Sequence, residues 1–105
     1  MIIVGGYKVF PRDVEEVLFR HPDIQNCAVV GIPDPRTTER VRAYVVLKEG
    51  KNTTAEELLE YCSKNLAKYR VPREIEIRSN LPLTAVGKVL RRELRQEAIA
   101  SEKGG

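Results

Sequence analysis

A chain of 105 residues, 42% hydrophobic and 31% charged, has the composition of one ordinary globular domain with a modest core, and is too apolar for a disordered segment. No apolar run approaches the roughly 20 residues that span a bilayer, and no charged-then-apolar leader precedes a cleavage site, so the expected setting is the cytoplasm with no transmembrane segment. The formal net charge of +3 conceals an asymmetry: residues 1–63 carry 8 basic and 10 acidic side chains, whereas residues 64–95 carry 9 basic and 3 acidic. That concentration of positive charge favours an anionic partner, or else forms a solvated basic face.

Taken in chain order, "MIIVGGYKVF" is two short β-rich runs joined by Gly5-Gly6, a strong hairpin signal. Pro11 suits the first turn of a helix, with Asp13, Glu15 and Glu16 where the helix dipole favours acid. Val14, Val17, Leu18 and His21 follow at helical spacing before "HPD" stops the run. "NCAVVGI" reads as a buried strand and "PDPRTTER" as a turn. In "VRAYVVLK", Val41, Ala43, Val45 and Leu47 share one face, opposite Arg42, Tyr44, Val46 and Lys48. Thr54 and Glu57 form a capping box ahead of a helix that buries Leu58, Leu59, Cys62 and Leu66. "EIEIR" is a short strand with Ile75 and Ile77 on one side. The last helix is predicted from about Lys88 to about Ile99, with Val89, Leu90 and Leu94 inward and Arg91, Arg92 and Arg95 outward. The fold expected is α+β: a hairpin followed by a small, about three-stranded sheet covered by helices. Residues 1–96 form the domain, and 97–105 are expected as a frayed tail.

Few residues offer chemistry. Cys27 and Cys62 have neither C-x-x-C spacing nor a cluster with His21, so a zinc site is excluded and buried free thiols are expected. His21 reads as a residue closing a helix rather than a catalyst. There is no Ser-His-Asp set and no long glycine-rich phosphate loop, so the chain cannot assemble a complete active site alone. What remains is "LTAVGK": Thr84 and Gly87 favour a tight turn that projects Lys88 from the start of a helix. Helix amides and the ammonium together would attract an oxyanion, and one such desolvated donor contributes roughly 3–4 kcal/mol to a transition state. An ordinary exposed lysine would satisfy the same spacing.

Three stretches in order shift that balance. "GGYKVFPRDVEEVL", "VVGIPDP" with "RVRAYVVLK", and "KYRVPREIEIRSNLPLTAVGKVLRRELR" resemble the opening segment, central hairpin and closing motif of the C-terminal domain of adenylate-forming acyl-CoA synthetases. The likeness spans roughly residues 1–96, and Pro11 within "GGYKVFP" is closer to the CoA ligases than to peptide-synthetase adenylation domains. In that family a large N-terminal domain binds ATP and the carboxylic acid, and the C-terminal domain is a lid that rotates between two half-reactions.

By position in the motif, the resemblance implies that Lys88 is the lysine entering the site during adenylation, on a loop supported by Thr84 and Gly87. It implies that Gly5, Gly6 and Tyr7 help form the pantetheine channel when CoA attacks the adenylate. Tyr69, Arg70 and Arg73 are candidate contacts for the CoA nucleotide. ATP and CoA are the implied substrates, with Mg2+ in the complete enzyme, a fatty acid as the expected acid, and no nucleic acid. The expected partner is the N-terminal adenylate-binding domain, without which no activity is expected. One departure concerns Thr38-Glu39, where the family often has Gly-Glu. The rival reading is a stand-alone α+β binding module for nucleic acid or protein, with residues 64–95 as its footprint; such modules stack bases on sheet aromatics, and the strands here offer little beyond Tyr7 and Tyr44.

Overall fold

Residues 1–104 are described in a computed structural model of the chain. The elements are β1 (Ile2–Val4), β2 (Tyr7–Val9), α1 (Pro11–Phe19), β3 (Ile24–Asp34), β4 (Thr38–Leu47), α2 (Ala55–Asn65), a single 3-10 turn (Lys68–Arg70), β5 (Glu74–Ile77) and α3 (Arg91–Gly104). Gly5 and Gly6 have φ of 55° and 90°, the left-handed pair that a two-residue hairpin turn demands, and they set the register Val4 to Tyr7 and Ile2 to Val9. Pro11 opens α1, whose buried residues are Val14, Glu15, Val17 and Leu18. At α2, Thr54 Oγ1 accepts from the Glu57 amide at 3.2 Å, the cap expected from the sequence.

The α+β class is as expected, but the sheet has five strands, not about three. Strands β3, β4 and β5 form the anticipated nucleus, with β5 parallel to β4 and β3 antiparallel to it. The hairpin joins the same sheet because Val4 pairs with Thr38 and the Gly5 amide donates to Thr37 O at 2.8 Å. Helices cover both faces. On one face Cys27, Val29, Val41, Ala43, Val45 and Ile75 pack with Val14, Leu18, Leu58 and Cys62. On the other, Ala28, Val30, Ile32, Tyr44 and Val46 pack with Leu81, Leu94 and Ala98. That second layer explains why β3 reads as a continuous apolar run rather than an alternation. It also buries Tyr44, whose hydroxyl donates to Leu94 O at 3.3 Å and accepts from Arg42 Nε at 3.0 Å.

This packing corrects or refines four expectations. The segment 97–104 continues α3, because Ala98 is buried against the sheet and Glu102 pairs with Arg40; Gly105 lies outside the described residues. Helix α3 starts at Arg91, three residues after Lys88, because Leu83 and Val89 form a β-bridge that holds the chain extended to that point. His21 lies beyond the end of α1, where its Nδ1 accepts from the Asp23 amide. Arg91 and Arg95 stay exposed as expected, yet each is tied back to the domain: Arg91 binds Glu15, and Arg95 Nε donates to Gly31 O at 2.8 Å.

Two backbone positions decide how the hairpin docks. Thr38 has φ of 74°, a left-handed conformation costly for a β-branched residue and natural for glycine. Gly31 lies under β1: a Cβ there would meet Ile2 Cγ1 and Cγ2 at 2.9 Å and Glu39 Oε2 at 2.7 Å. The same Glu39 accepts from the Ile3 amide at 2.9 Å, so its freedom to retreat is limited. Opposite stability changes are expected, measured by denaturant unfolding. Gly31→Ala should cost about 1–3 kcal/mol by overpacking. Thr38→Gly should gain up to about 1 kcal/mol, the relief of strain exceeding the added freedom of the unfolded chain.

Candidate functional site

Lys88 stands on a tight loop whose backbone is bonded on itself. The Thr84 amide donates to Lys88 O at 2.8 Å, the Gly87 amide to Thr84 O at 2.9 Å, and the Lys88 amide to Thr84 Oγ1 at 3.1 Å. Gly87 has φ of 86°, so this turn favours glycine. Below the tip, the Leu90 amide donates to Pro82 O at 2.9 Å. The Thr84 hydroxyl and the Gly87 turn thus brace this loop, while the helix start expected at Lys88 lies three residues further on, at Arg91. Lys88 is exposed, and Val86 at the loop tip is 85% exposed. The lysine borders a recess of about 260 Å³ lined also by Arg12, Glu15, Phe19 and Arg91.

The glycine hairpin belongs to a different recess. Gly5 and Tyr7, with Val4, Lys68 and Tyr69, line an open groove of about 410 Å³. The rings of Tyr7 and Tyr69 stack with centroids 4.4 Å apart and planes 17° apart, and the Arg70 guanidinium lies 5.4 Å from the Tyr69 ring centre. Tyr7 stays 57% exposed despite the stack. Nothing stands within 4 Å of where a Cβ on Gly5 or Gly6 would be, so these glycines present bare backbone to open space. Arg73 is separated by its chemistry: its Nη1 lies 3.2 Å from Asp34 Oδ2, and its amide donates to Val41 O. The Arg36 amide, with Arg73 beside it, holds the Asp34 carboxyl below the usual carboxylate range. The three residues expected to meet a CoA nucleotide are therefore divided, with Tyr69 lining the groove, Arg70 against the Tyr69 ring and Arg73 in an ion pair.

The match to known proteins covers most of the chain. Residues 13–88 match the family model of the AMP-binding enzyme C-terminal domain. The chain belongs to that family. It is 50% identical over 97 residues to a long-chain-fatty-acid–CoA ligase of Bacillus subtilis, covering 92% of this chain and 17% of that protein. A long-chain-fatty-acid–CoA ligase of Escherichia coli is 44% identical over 98 residues, covering 93% and 17%. The acyl-CoA synthetase of Brucella canis superposes with a TM-score of 0.90 at 40% identity, over 96% of this chain and 19% of that structure. The chain thus spans less than a fifth of the length of these relatives.

The nucleic-acid reading receives no support from these matches, and the packing argues against it. Tyr44 is buried beneath α3, which leaves Tyr7, stacked on Tyr69, as the one exposed aromatic of the two that the strands offer. Among the described residues no cluster of three or more His, Cys, Asp or Glu side chains is placed to hold a metal ion. Among the described residues no helix is long and apolar enough to cross a membrane.

One residue of this AMP-binding C-terminal domain carries more than its sequence position suggested. Glu15, expected only as an acid favoured by the helix dipole, is 5% exposed. Its Oε2 accepts from the Val29 amide at 2.8 Å and from Arg91 Nε at 2.8 Å, and its Oε1 pairs with Arg91 Nη2. The available signal was spacing: Glu15 sits one residue after Val14 and three before Leu18, inside the stripe that faces the sheet. Its partner, 76 residues away, had no local signal.

The two thiols are buried, and burial pushes Cys27 up to about 12 and Cys62 up to about 11. At pH 8 both are overwhelmingly protonated and poor nucleophiles. Iodoacetamide is expected to leave both unmodified in the native chain and to alkylate both after unfolding in urea. Rapid native labelling, read by mass spectrometry, would contradict the packing described here.

Proposed function

We propose that this chain is the mobile lid of an ATP-dependent acid–thiol ligase, which converts a carboxylic acid, ATP and CoA into acyl-CoA through an acyl-adenylate. The observation that carries the reading, beside family membership, is the separation of two candidate surfaces. The Lys88 loop and the Gly5–Tyr7 hairpin border recesses with no lining residue in common. A lid that presents one surface to a partner domain, then turns to present the other, uses such an arrangement directly.

In the adenylating orientation, Lys88 would enter the site of the preceding domain, which holds ATP, the acid and the Mg2+ that accompanies the nucleotide. Its ammonium sits between the attacking carboxylate and the α-phosphate, neutralising charge and fixing their approach as the carboxylate oxygen displaces pyrophosphate. The Thr84 hydroxyl and the Gly87 turn limit the freedom of the lysine backbone, so less motion is lost when the side chain is seated.

In the thioester-forming orientation, Gly5 and Gly6 line the pantetheine path, where absent side chains let the thiol arm pass close to backbone. Tyr7 and Tyr69 give a flat apolar wall beside it, with Arg70 available to a CoA phosphate or adenine ring. Arg73 would join only by releasing Asp34. The fatty-acid ligases among the relatives support a fatty acid as substrate, selected by a pocket in the preceding domain.

In the complete ligase, Lys88→Ala should slow adenylation about 10²–10³-fold, measured by ATP–pyrophosphate exchange, while sparing CoA attack on preformed adenylate. Gly6→Leu should show the reverse preference. A uniform loss in both half-reactions for both variants would contradict a lid with two working surfaces.

A further inference from the structure

We propose that Glu15, acting through Arg91, is a positioning residue for Lys88; the inference rests on the ligase-lid reading above. Arg91 opens α3 three residues beyond Lys88, and the intervening chain is the rising arm of the lysine loop. That arm is joined to the descending arm by the Leu83–Val89 bridge and by the Leu90 amide on Pro82 O. Below those bonds the loop rests on the two-point contact of the Arg91 guanidinium with the Glu15 carboxylate. Glu15 is in turn fixed to the sheet, because the same Oε2 accepts from the Val29 amide. A rigid strand, a buried carboxylate and a planar guanidinium therefore form one continuous chain of bonds to the foot of the loop. Lys88 and Glu15 also border the same recess.

A contact needed for fold stability alone does not require this chemistry. Replacing a buried ion pair with packed apolar groups is often neutral or stabilising. What the carboxylate and guanidinium supply, and apolar groups do not, is a directional two-point bond that fixes how α3 and the loop ahead of it meet the sheet. The side chain of Arg91 is half-exposed while that of Glu15 is buried, so the carboxylate is the fixed member and the arginine the one it orients. Displacing a reacting group by a fraction of an ångström to 1 Å is enough to slow a charge-stabilised step about 10–10²-fold.

The test uses the complete ligase carrying this domain, with Glu15→Gln, Arg91→Lys, Lys88→Ala and the double variant of Glu15→Gln with Lys88→Ala. Gln keeps an acceptor for the Val29 amide but loses the charged fork, whereas Lys keeps the charge and loses the second bond. Adenylation is read by pyrophosphate exchange, the second step by CoA attack on preformed adenylate, and folding by thermal midpoint. Glu15→Gln and Arg91→Lys are each expected to lower kcat of adenylation about tenfold, with KM for ATP and the second step within about twofold. In the Lys88→Ala background, Glu15→Gln should cause no further loss, because the group it positions is gone.

Equal losses in both half-reactions, or the same fractional loss with and without Lys88, would reduce the pair to a fold clamp and overturn the proposal. If Glu15→Gln fails to fold, Arg91→Lys decides by the same two criteria. Should Lys88→Ala itself leave adenylation intact, the lid reading falls and this inference with it. Should Lys88→Ala act selectively while Glu15→Gln and Arg91→Lys do not, the positioning role alone is refuted.

Discussion

A carboxylate sealed between a helix and a sheet must be matched, and in this domain the matching of Glu15 ties together three distant parts of the chain. Desolvating an ionised carboxyl costs several kcal/mol, and a charge-assisted hydrogen bond returns roughly 1.5–3 kcal/mol. Glu15 therefore needs both the Val29 amide and the arginine fork to be tolerable where it lies. That requirement fixes α1 against β3 and fixes the first turn of α3 against both. Cys27, whose thiol lies 3.7 Å from Glu15 O, is buried in the same joint, and the high pKa of its thiol is a consequence of that seclusion.

The glycine hairpin is held by looser and more local means. One strand pair, one amide on Thr37 O and the close pass of Ile2 over Gly31 attach it to the rest of the sheet. Thr38 takes up the left-handed geometry that lets Val4 meet β4, so the unusual backbone of one residue positions the glycine turn. The family's frequent glycine at that place has a direct conformational reason. The lysine loop and the glycine turn thus rest against different features, a charge joint at the foot of one and a strained turn beside the other. The β3–β4 ladder joins the supports.

Much of the site was legible because its parts are short and local. Gly5-Gly6 set a two-residue turn, Thr54 and Glu57 cap α2, and Thr84 with Gly87 shape the lysine loop, each through bonds within a few residues. The family motifs placed Lys88 on the same local grounds. The start of α3 was misread because helical spacing from Val89 to Leu94 is indistinguishable from an extended arm followed by a helix until the partner strand at Leu83 is seen. Arg91 and Arg95 remain exposed, as charge usually is, but their bonds had no local signal, because the groups that receive them, the Glu15 carboxylate and the Gly31 carbonyl, lie 76 and 64 residues earlier.

The sequence by itself determined the α+β class, the order of nearly every element, the turn chemistry and the identity of the loop that carries Lys88. These depend on residue type and on neighbours within one or two turns of chain. Only the tertiary structure decided that the sheet has five strands, that Tyr44 is buried between β4 and α3, that residues 97–104 are helical, and that Tyr7 stacks on Tyr69. It alone joined Glu15 to Arg91. The physical reason is common to all of these: each depends on which surfaces are covered, and coverage is settled by long-range packing that no local window of sequence contains.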